Sequence, residues 1–361
     1  MGSTGMVRGV GVGWRQQIAA DLLARRAPVD FVEVIAETCY TQSAARREAL
    51  ALAASWLVIP HGVKLSLGSA EGVDDERLRK LAELTRALRA PCITEHVALT
   101  SAGGREIGHL TQLPRTREAV AAVARNVARA RRKLPDVPLV LENVAWTLRW
   151  PDDDMREEDF YAEVAQATGC PLLLDLGNLH ANALNDGRDP EAVLRGFPLD
   201  RVAMVHVAGG HAEHDFYYDD HASPVPDGVF ALLETLVRLR GAVPTLLERD
   251  ANFPPFDELA QELSRVRAAL SGASFEAPSP RVEAPVDVPV GALAARQAAL
   301  AEALTQQYDP TDEALGGFAR RDVARTREVL QRKRVDDAMP LLPRLAARDD
   351  VALVAQEAVA A

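Results

Sequence analysis

This sequence predicts a (β/α)8 barrel, the TIM-barrel architecture, with a small all-helical C-terminal domain. Two observations predict it: eight short runs that are almost wholly apolar, and the Ala-, Leu- and Arg-rich stretches of helical period between them. A strand buried on both faces reads as continuous apolarity. Eight such strands alternating with helices close into a barrel of roughly 250 residues. An open doubly wound sheet is the competing arrangement, but no GxGxxG word opens a helix after the first run.

The runs are GVGVGW from Gly9, DFVEVIAE from Asp30, SWLVIPHGV from Ser55 and PCITEHVAL from Pro91. They continue with VPLVLENVA from Val137, PLLLDLGNL from Pro171, VAMVHVAG from Val202 and PTLLERD from Pro244. Helices are expected over 15–26, 43–54, 74–89, 115–133, 157–167, 190–196 and 229–239, with one more ending near Leu270. The barrel accounts for residues 1–275. A Pro- and Ala-rich linker follows over 276–291. Residues 292–361 have helical composition, with breaks at YDPTDEALGG and MPLLP, and read as three or four helices.

Composition narrows the function classes. The chain has 361 residues, 48% of them hydrophobic and 26% charged, as in an ordinary globular protein. A net charge of −11 argues against a general binder of nucleic acid or anionic membrane, since phosphate surfaces demand a basic face. Cys39, Cys92 and Cys170 are far apart and form no CxxC pair. That excludes a disulfide framework or thiolate zinc ribbon and fits a reducing compartment. No secretory signal and no membrane-length apolar run is visible, so a soluble cytoplasmic protein is expected.

Active sites of such barrels lie at the C-terminal strand ends. There the runs deliver Glu33 and Glu37, His61, Glu95 and His96, Glu142 and Asn143, then Asp175 and Asn178. The seventh yields His206, its loop His211, His214, Asp219 and His221, and the eighth Glu248 and Asp250. A single such residue is ordinarily a hydrogen-bonded core or loop group. Successive strands each presenting one at the same end point to a metal centre, because clustered carboxylates repel unless cations compensate them. The mixture of imidazole and carboxylate favours Fe, Zn or Mn over Mg or Ca. His109 and His180 lie off this pattern and read as surface or loop residues.

The set His61, His96, Glu142, Asp175, His206, Asp219, His221 and Glu248 resembles the metal constellation of the xylose-isomerase-like barrels, endonuclease IV among them. The words FVEVIAE, IPHGVKLSLGS, TEHVAL, LENV, LLLDLGNLHANALNDG, VHVAGGH, DDHASPVPD and TLLERD narrow this. They resemble the multinuclear non-haem iron-dependent oxidative enzymes, the methanobactin-biosynthesis type. The likeness runs from about Val10 to Leu270. It implies two or three iron ions in a mixed-valence Fe(II)/Fe(III) state, with O2 as co-substrate. His61 and His96 would bind one iron, with Glu142 bridging to a second completed by Asp175, His206 and Glu248. Asp219 and His221 would hold a third, with Asn178 beside them. By the same resemblance Glu142, Asp175, His206 and His211 would form the catalytic set, His211 standing near the metals or facing substrate. Two positions depart from the pattern: endonuclease-like relatives usually have His at the Asn178 position, and Thr38 stands where an Asn would follow Glu37.

The implied reaction is oxidative modification of a ribosomally made precursor peptide, usually at cysteine. Such enzymes commonly act with a partner protein. Seven Arg or Lys residues between Arg320 and Arg334, against two acids, read either as a solvated helix face or as a fused module that docks an acidic leader segment. The main rival is a Zn- or Mn-dependent hydrolase or isomerase on the same barrel. An isomerase would need a Lys near the metals, and Lys64 is the only one near a strand end. A non-catalytic scaffold is a further rival, against which the intact ligand set argues.

Overall fold

The computed structural model describes residues 7–25, 29–275, 277–279, 288–306 and 315–338, with side chains in the last helix to residue 335. Eight parallel strands close into a barrel: β1 (Val10–Gly13), β2 (Phe31–Ile35), β3 (Leu57–Gly62), β4 (Ile93–His96), β7 (Leu139–Glu142), β8 (Leu172–Asp175), β9 (Val202–Val207) and β12 (Thr245–Leu247). Each falls in one of the eight expected runs. β12 closes back onto β1, pairing Val10 with Thr245 and Val12 with Leu247.

The surrounding helices are α1 (Gln16–Arg25), α2 (Ala44–Leu52), α3 (Asp75–Leu88), α4 (Arg117–Arg131), α5 (Glu157–Thr168), α6 (Leu176–Asn185), α7 (Pro190–Gly196), α8 (Asp227–Arg240) and α9 (Phe256–Leu270). Their starts are chemical: Ser43, Asp74, Thr116, Asp175 and Asp189 each accept a hydrogen bond from a backbone N–H of the first turn. α6 was not expected, because PLLLDLGNL reads as one apolar run. The strand ends at Asp175, whose Oδ1 accepts from Asn178 N at 2.6 Å and so starts the helix.

Two clusters make up the core. The larger lies between barrel and helices. The smaller plugs the barrel itself and joins Val7, Phe31, Ile59, Cys92, Val140, Leu173, Ala203, Met204 and Leu246. Gly11 makes room for it, since a Cβ there would lie 2.3 Å from the Phe31 ring. Side chains two residues apart on a strand share a face. Two residues beyond the plug, therefore, the same runs present Glu33, His61, Thr94, Glu142, Asp175, His206 and Glu248, all buried. The polar layer is the next storey above an apolar floor.

Two antiparallel hairpins, also unexpected, rise from loops on this face: β5 (Leu99–Ala102) with β6 (Arg105–Thr111), and β10 (His211–Glu213) with β11 (Phe216–Tyr218). Beyond the barrel stand α10 (Gly291–Thr305) and α11 (Arg320–Ala338). Both join the larger core cluster through Leu293, Leu300, Leu304, Val323 and Leu330. The buried amide of Gln297 in α10 donates to Gly68 O and accepts from Ala70 N, each at 2.8 Å. Most of the expected linker, and all of the chain beyond MPLLP, lies outside the described residues. Among the described residues no helix is long and apolar enough to cross a membrane.

Candidate metal centre

Four groups of potential ligands lie at the C-terminal mouth, each with its ligand atoms within 4.8 Å of one another. They are His61, His96 and Glu142; Glu142, Asp175 and His206; Asp175, Asp219 and His221; and His221, Glu248 and Asp250. Shared residues link them into one chain: Glu142 joins the first two, Asp175 the middle pair, and His221 the last two.

Hydrogen bonds on the far side of two rings set their tautomers. Thr94 Oγ1 donates to Glu33 Oε2 at 2.9 Å, so toward His61 Nδ1, also 2.9 Å away, it must accept. His96 Nδ1 lies 3.1 Å from the Gly62 carbonyl, which can only accept. Both Nδ1 atoms therefore carry hydrogen, and the two Nε2 atoms are left as the ones that can bind a ligand. They lie 3.7 and 3.4 Å from Glu142 Oε2, itself buried without a hydrogen bond. A ring nitrogen facing a carboxylate oxygen needs a proton or a metal ion between them, and ring N–H groups anchored to acceptors behind are the habit of metal-binding histidines.

The second group shows the same want of a cation. His206 Nε2 lies 3.2 Å from Glu33 Oε1, and its Nδ1 lies 3.4 Å from Glu142 Oε1 and 3.2 Å from Glu248 Oε2. Neither nitrogen makes a hydrogen bond; Asp175 Oδ2 and Asp219 Oδ1 are likewise buried and unpartnered. Burial alone would lower the His206 pKa, but the carboxylates of Glu33 and Glu142 outweigh it and hold the ring well above its usual value. Burial also works against a charged His221, and Asp219 and Glu248 overcome it in the same way. Burial would raise Glu142, but His96 and His206 hold it down to about 2. Burial pushes His96 itself down to about 4. Protons on His206 and His221 offset part of the negative charge, and metal binding would displace them.

The loops aim the remaining groups. His221 takes a left-handed backbone, φ 54°, which turns its ring so that Nε2 meets Asp219 Oδ2 at 2.9 Å. Gly177 keeps the neighbourhood open, as a Cβ there would come within 3.2 Å of Asp175 Oδ1 and 3.1 Å of Asp219 Oδ1. Asn143 clamps the end of β8, accepting from Asp175 N at 2.7 Å and donating to Asp175 O at 3.0 Å.

Not every expected residue joins a group. Both ends of the Asn178 amide serve backbone: Oδ1 accepts from Ala145 N at 2.9 Å and Nδ2 donates to Asn143 O at 3.0 Å. His211 stands on β10, stacked on Tyr218, with Nδ1 2.8 Å from Asp220 Oδ2. His214 is an exposed turn residue. Glu37 accepts from Val63 N and Lys64 N, and burial raises both it and Glu95 above the usual carboxylate range. His109 is no loop residue: it lies on β6, half-buried, with its Nε2 unpartnered. His180 is on α6, edge-on to Tyr217. Thr94 escaped the sequence reading, although it sits two residues before His96 and hence on the same inward face.

α11 forms one wall of the mouth. Arg325 donates to Thr147 O at 3.1 Å and lies 3.9 Å above the Phe216 ring. Thr326 meets Thr147 at 2.9 Å, Arg332 pairs with Glu213 at 3.1 Å, and Lys333 Nζ lies 3.2 Å from His109 Nδ1. Three loops of the face are thus tied to one helix.

Several known proteins are similar to this chain. A UPF0276 protein of Streptomyces avermitilis is 41% identical over 276 residues, covering 74% of this chain and 56% of that protein, so the match spans little more than half of that relative. A UPF0276 protein of Caulobacter vibrioides is 38% identical over 262 residues, covering 72% of this chain and 93% of that protein. Endonuclease IV from Thermus thermophilus is similar in fold only, with a TM-score of 0.47 at 18% identity over 73% of this chain and 98% of its own. Residues 9–271 match the family described as RiPP precursor modification enzyme MbnB/TglH/ChrH, whose substrates are ribosomally made peptides modified after synthesis. The match takes in the whole barrel and every ligand-like residue at its mouth, and the chain belongs to that family of peptide-modifying enzymes.

Proposed function

We propose that the mouth holds two or three iron ions, one in each of the first three linked groups, and that the enzyme uses O2 to modify cysteine oxidatively in a precursor peptide. One observation carries this reading: the Nε2 atoms of His61 and His96 converge on the unpartnered Glu142 oxygen, while Glu142 and Asp175 are each shared by two groups. His61 and His96 would hold the first ion, His206 and Asp175 the second, Asp219 and His221 the third, with Glu142 and Asp175 between neighbours. Glu248 Oε2, close to both His206 and His221, would serve the second or third. Bound iron would supply electrons for O2 and a soft acceptor for a thiolate. The chain's own part is to hold these ligands in fixed tautomers above an apolar floor and to present the peptide. The mouth wall formed by α11 is where a peptide, or a partner protein carrying it, would be guided in.

A sugar-isomerase reading is disfavoured by Lys64, the lysine near a strand end, whose side chain is exposed. The test is anaerobic loading of the full chain with Fe(II), followed by a cysteine-containing precursor peptide with and without O2, read by mass spectrometry. A mass change that needs both iron and O2 is expected. Equal turnover with Zn(II), or without O2, would overturn the reading in favour of a hydrolase or isomerase.

A further inference from the structure

The fourth ligand-like group differs from the other three because it already faces a cation of the protein. His221 Nδ1 lies 3.4 Å from Glu248 Oε2 and 3.8 Å from Asp250 Oδ2. The opposite oxygens of the same two carboxylates, Glu248 Oε1 and Asp250 Oδ1, face Arg15. Its Nη2 lies 3.3 Å from the first and is ion-paired with the second. Nη1 donates to Trp14 O at 3.0 Å, which pins the guanidinium against the end of the first strand. Among the described residues, no Arg or Lys forms an ion pair with Glu33, Glu142, Asp175 or Asp219. One corner of the mouth meets a fixed cation of the protein, whereas these other carboxylates have at most ring protons beside them.

We infer that Arg15 is a positioning residue that serves as a built-in cation at the His221–Glu248–Asp250 corner, keeping a metal ion out of it and committing Glu248 Oε2 to the neighbouring groups. This rests on the reading that the mouth binds metal. The physical reasons are three. A guanidinium keeps its charge at every pH a protein meets, and its planar fork can grip two carboxylates at once. A divalent ion among these three side chains would stand beside that fixed positive charge, within a few ångströms and so well inside the screening length of salt, although Asp250 itself is exposed. Holding Oε1 also fixes the carboxylate plane, so Oε2 stays 3.2 Å from His206 Nδ1 and 3.4 Å from His221 Nδ1. Arg15 in this way limits the number of metals the mouth takes.

The experiment counts ions rather than turnover. The full-length metal-free chain is dialysed anaerobically against Fe(II) alone to saturation, and iron per folded chain is measured. The wild-type chain is expected to take no more than three ions. Arg15→Gln should take one more than wild type, Arg15→Lys should not, and Arg15→Gln combined with Asp250→Asn should return to the wild-type number. The same count in Arg15→Gln as in wild type would overturn the inference. Should that variant fail to fold, a fourth tightly held ion in the wild-type chain would overturn it without any substitution. The two readings fail differently: a wild-type chain that takes no iron sinks the proposed function, whereas two or three ions with no gain in Arg15→Gln sinks only the role of Arg15.

Discussion

Two stretches of this chain are dense in charge, the barrel mouth and helix α11, and they behave oppositely. At the mouth, Glu142, Asp175 and His206 are buried, and each has an atom with no hydrogen bond. On α11, Arg332 stands half in solvent, paired with Glu213 and Glu328, and Arg321 is exposed beside Asp322. An exposed ion pair contributes roughly 0–1 kcal/mol, because water already solvates both partners. A buried group without a partner costs about 1–3 kcal/mol, more if charged, and persists in a structure only for a reason. Charge density therefore marks a site only where the fold has removed the water and left the groups unpaired.

The sharpest way to break the comparison is to remove the residue shared by the first two groups. Glu142→Gln should lose at least one ion per chain and lower turnover on the order of 100-fold or more, on the scale known for groups that support metal sites. Retention of iron and activity in that variant would mean that the buried cluster is structural. Next in size is Thr94→Val, which frees His61 Nδ1 while leaving every candidate ligand in place. A loss of about 10–100-fold in iron affinity is expected, measured by chelator competition. An unchanged affinity would show that the Thr94 hydroxyl does not orient His61.

Glu157 provides an intermediate case, a buried carboxylate away from the mouth. Burial raises it to about 8, with the Asn182 amide donating to it at 3.0 Å. Its folded value lies above the usual 4.5, so the folded chain keeps the proton longer than the unfolded chain does. The stability this contributes is full below about 4.5 and is lost as pH rises through about 8. Glu157→Gln should flatten the fall in urea-unfolding stability over that window; an unaltered slope would place the proton elsewhere. The smallest effect is expected at the surface. Arg332→Ala should change stability by no more than about 1 kcal/mol, and less in high salt, by thermal unfolding. A larger loss would make α11 a structural member of the mouth in its own right.

Much of this was legible in the chain itself, for reasons that differ from element to element. Strand-end residues such as His61, Glu142 and His206 stand out because each follows an apolar residue at i−2 and so shares its inward face. The hairpin at His211–Tyr218 was not legible, since three-residue strands carry too little alternation to separate from a polar loop. Nor was α6, whose first turn continues the apolarity of the strand before it. Asn178 reads as a ligand by position, but its amide is taken up by two backbone groups of the loop after β7, which no local pattern announces.

What the sequence by itself determined is the order of strands and helices and the face on which each polar residue stands. Apolar period and helix caps are local properties, set within a few residues. Only the tertiary structure decided which atoms meet. Barrel closure brings Arg15, beside the first strand, to Glu248 beyond the last, 233 residues away in sequence. The tautomers of His61 and His96 likewise follow from Thr94, Glu33 and the Gly62 carbonyl on neighbouring strands. Such contacts depend on register and closure around the whole ring, and they turn a list of histidines and carboxylates into a candidate metal centre.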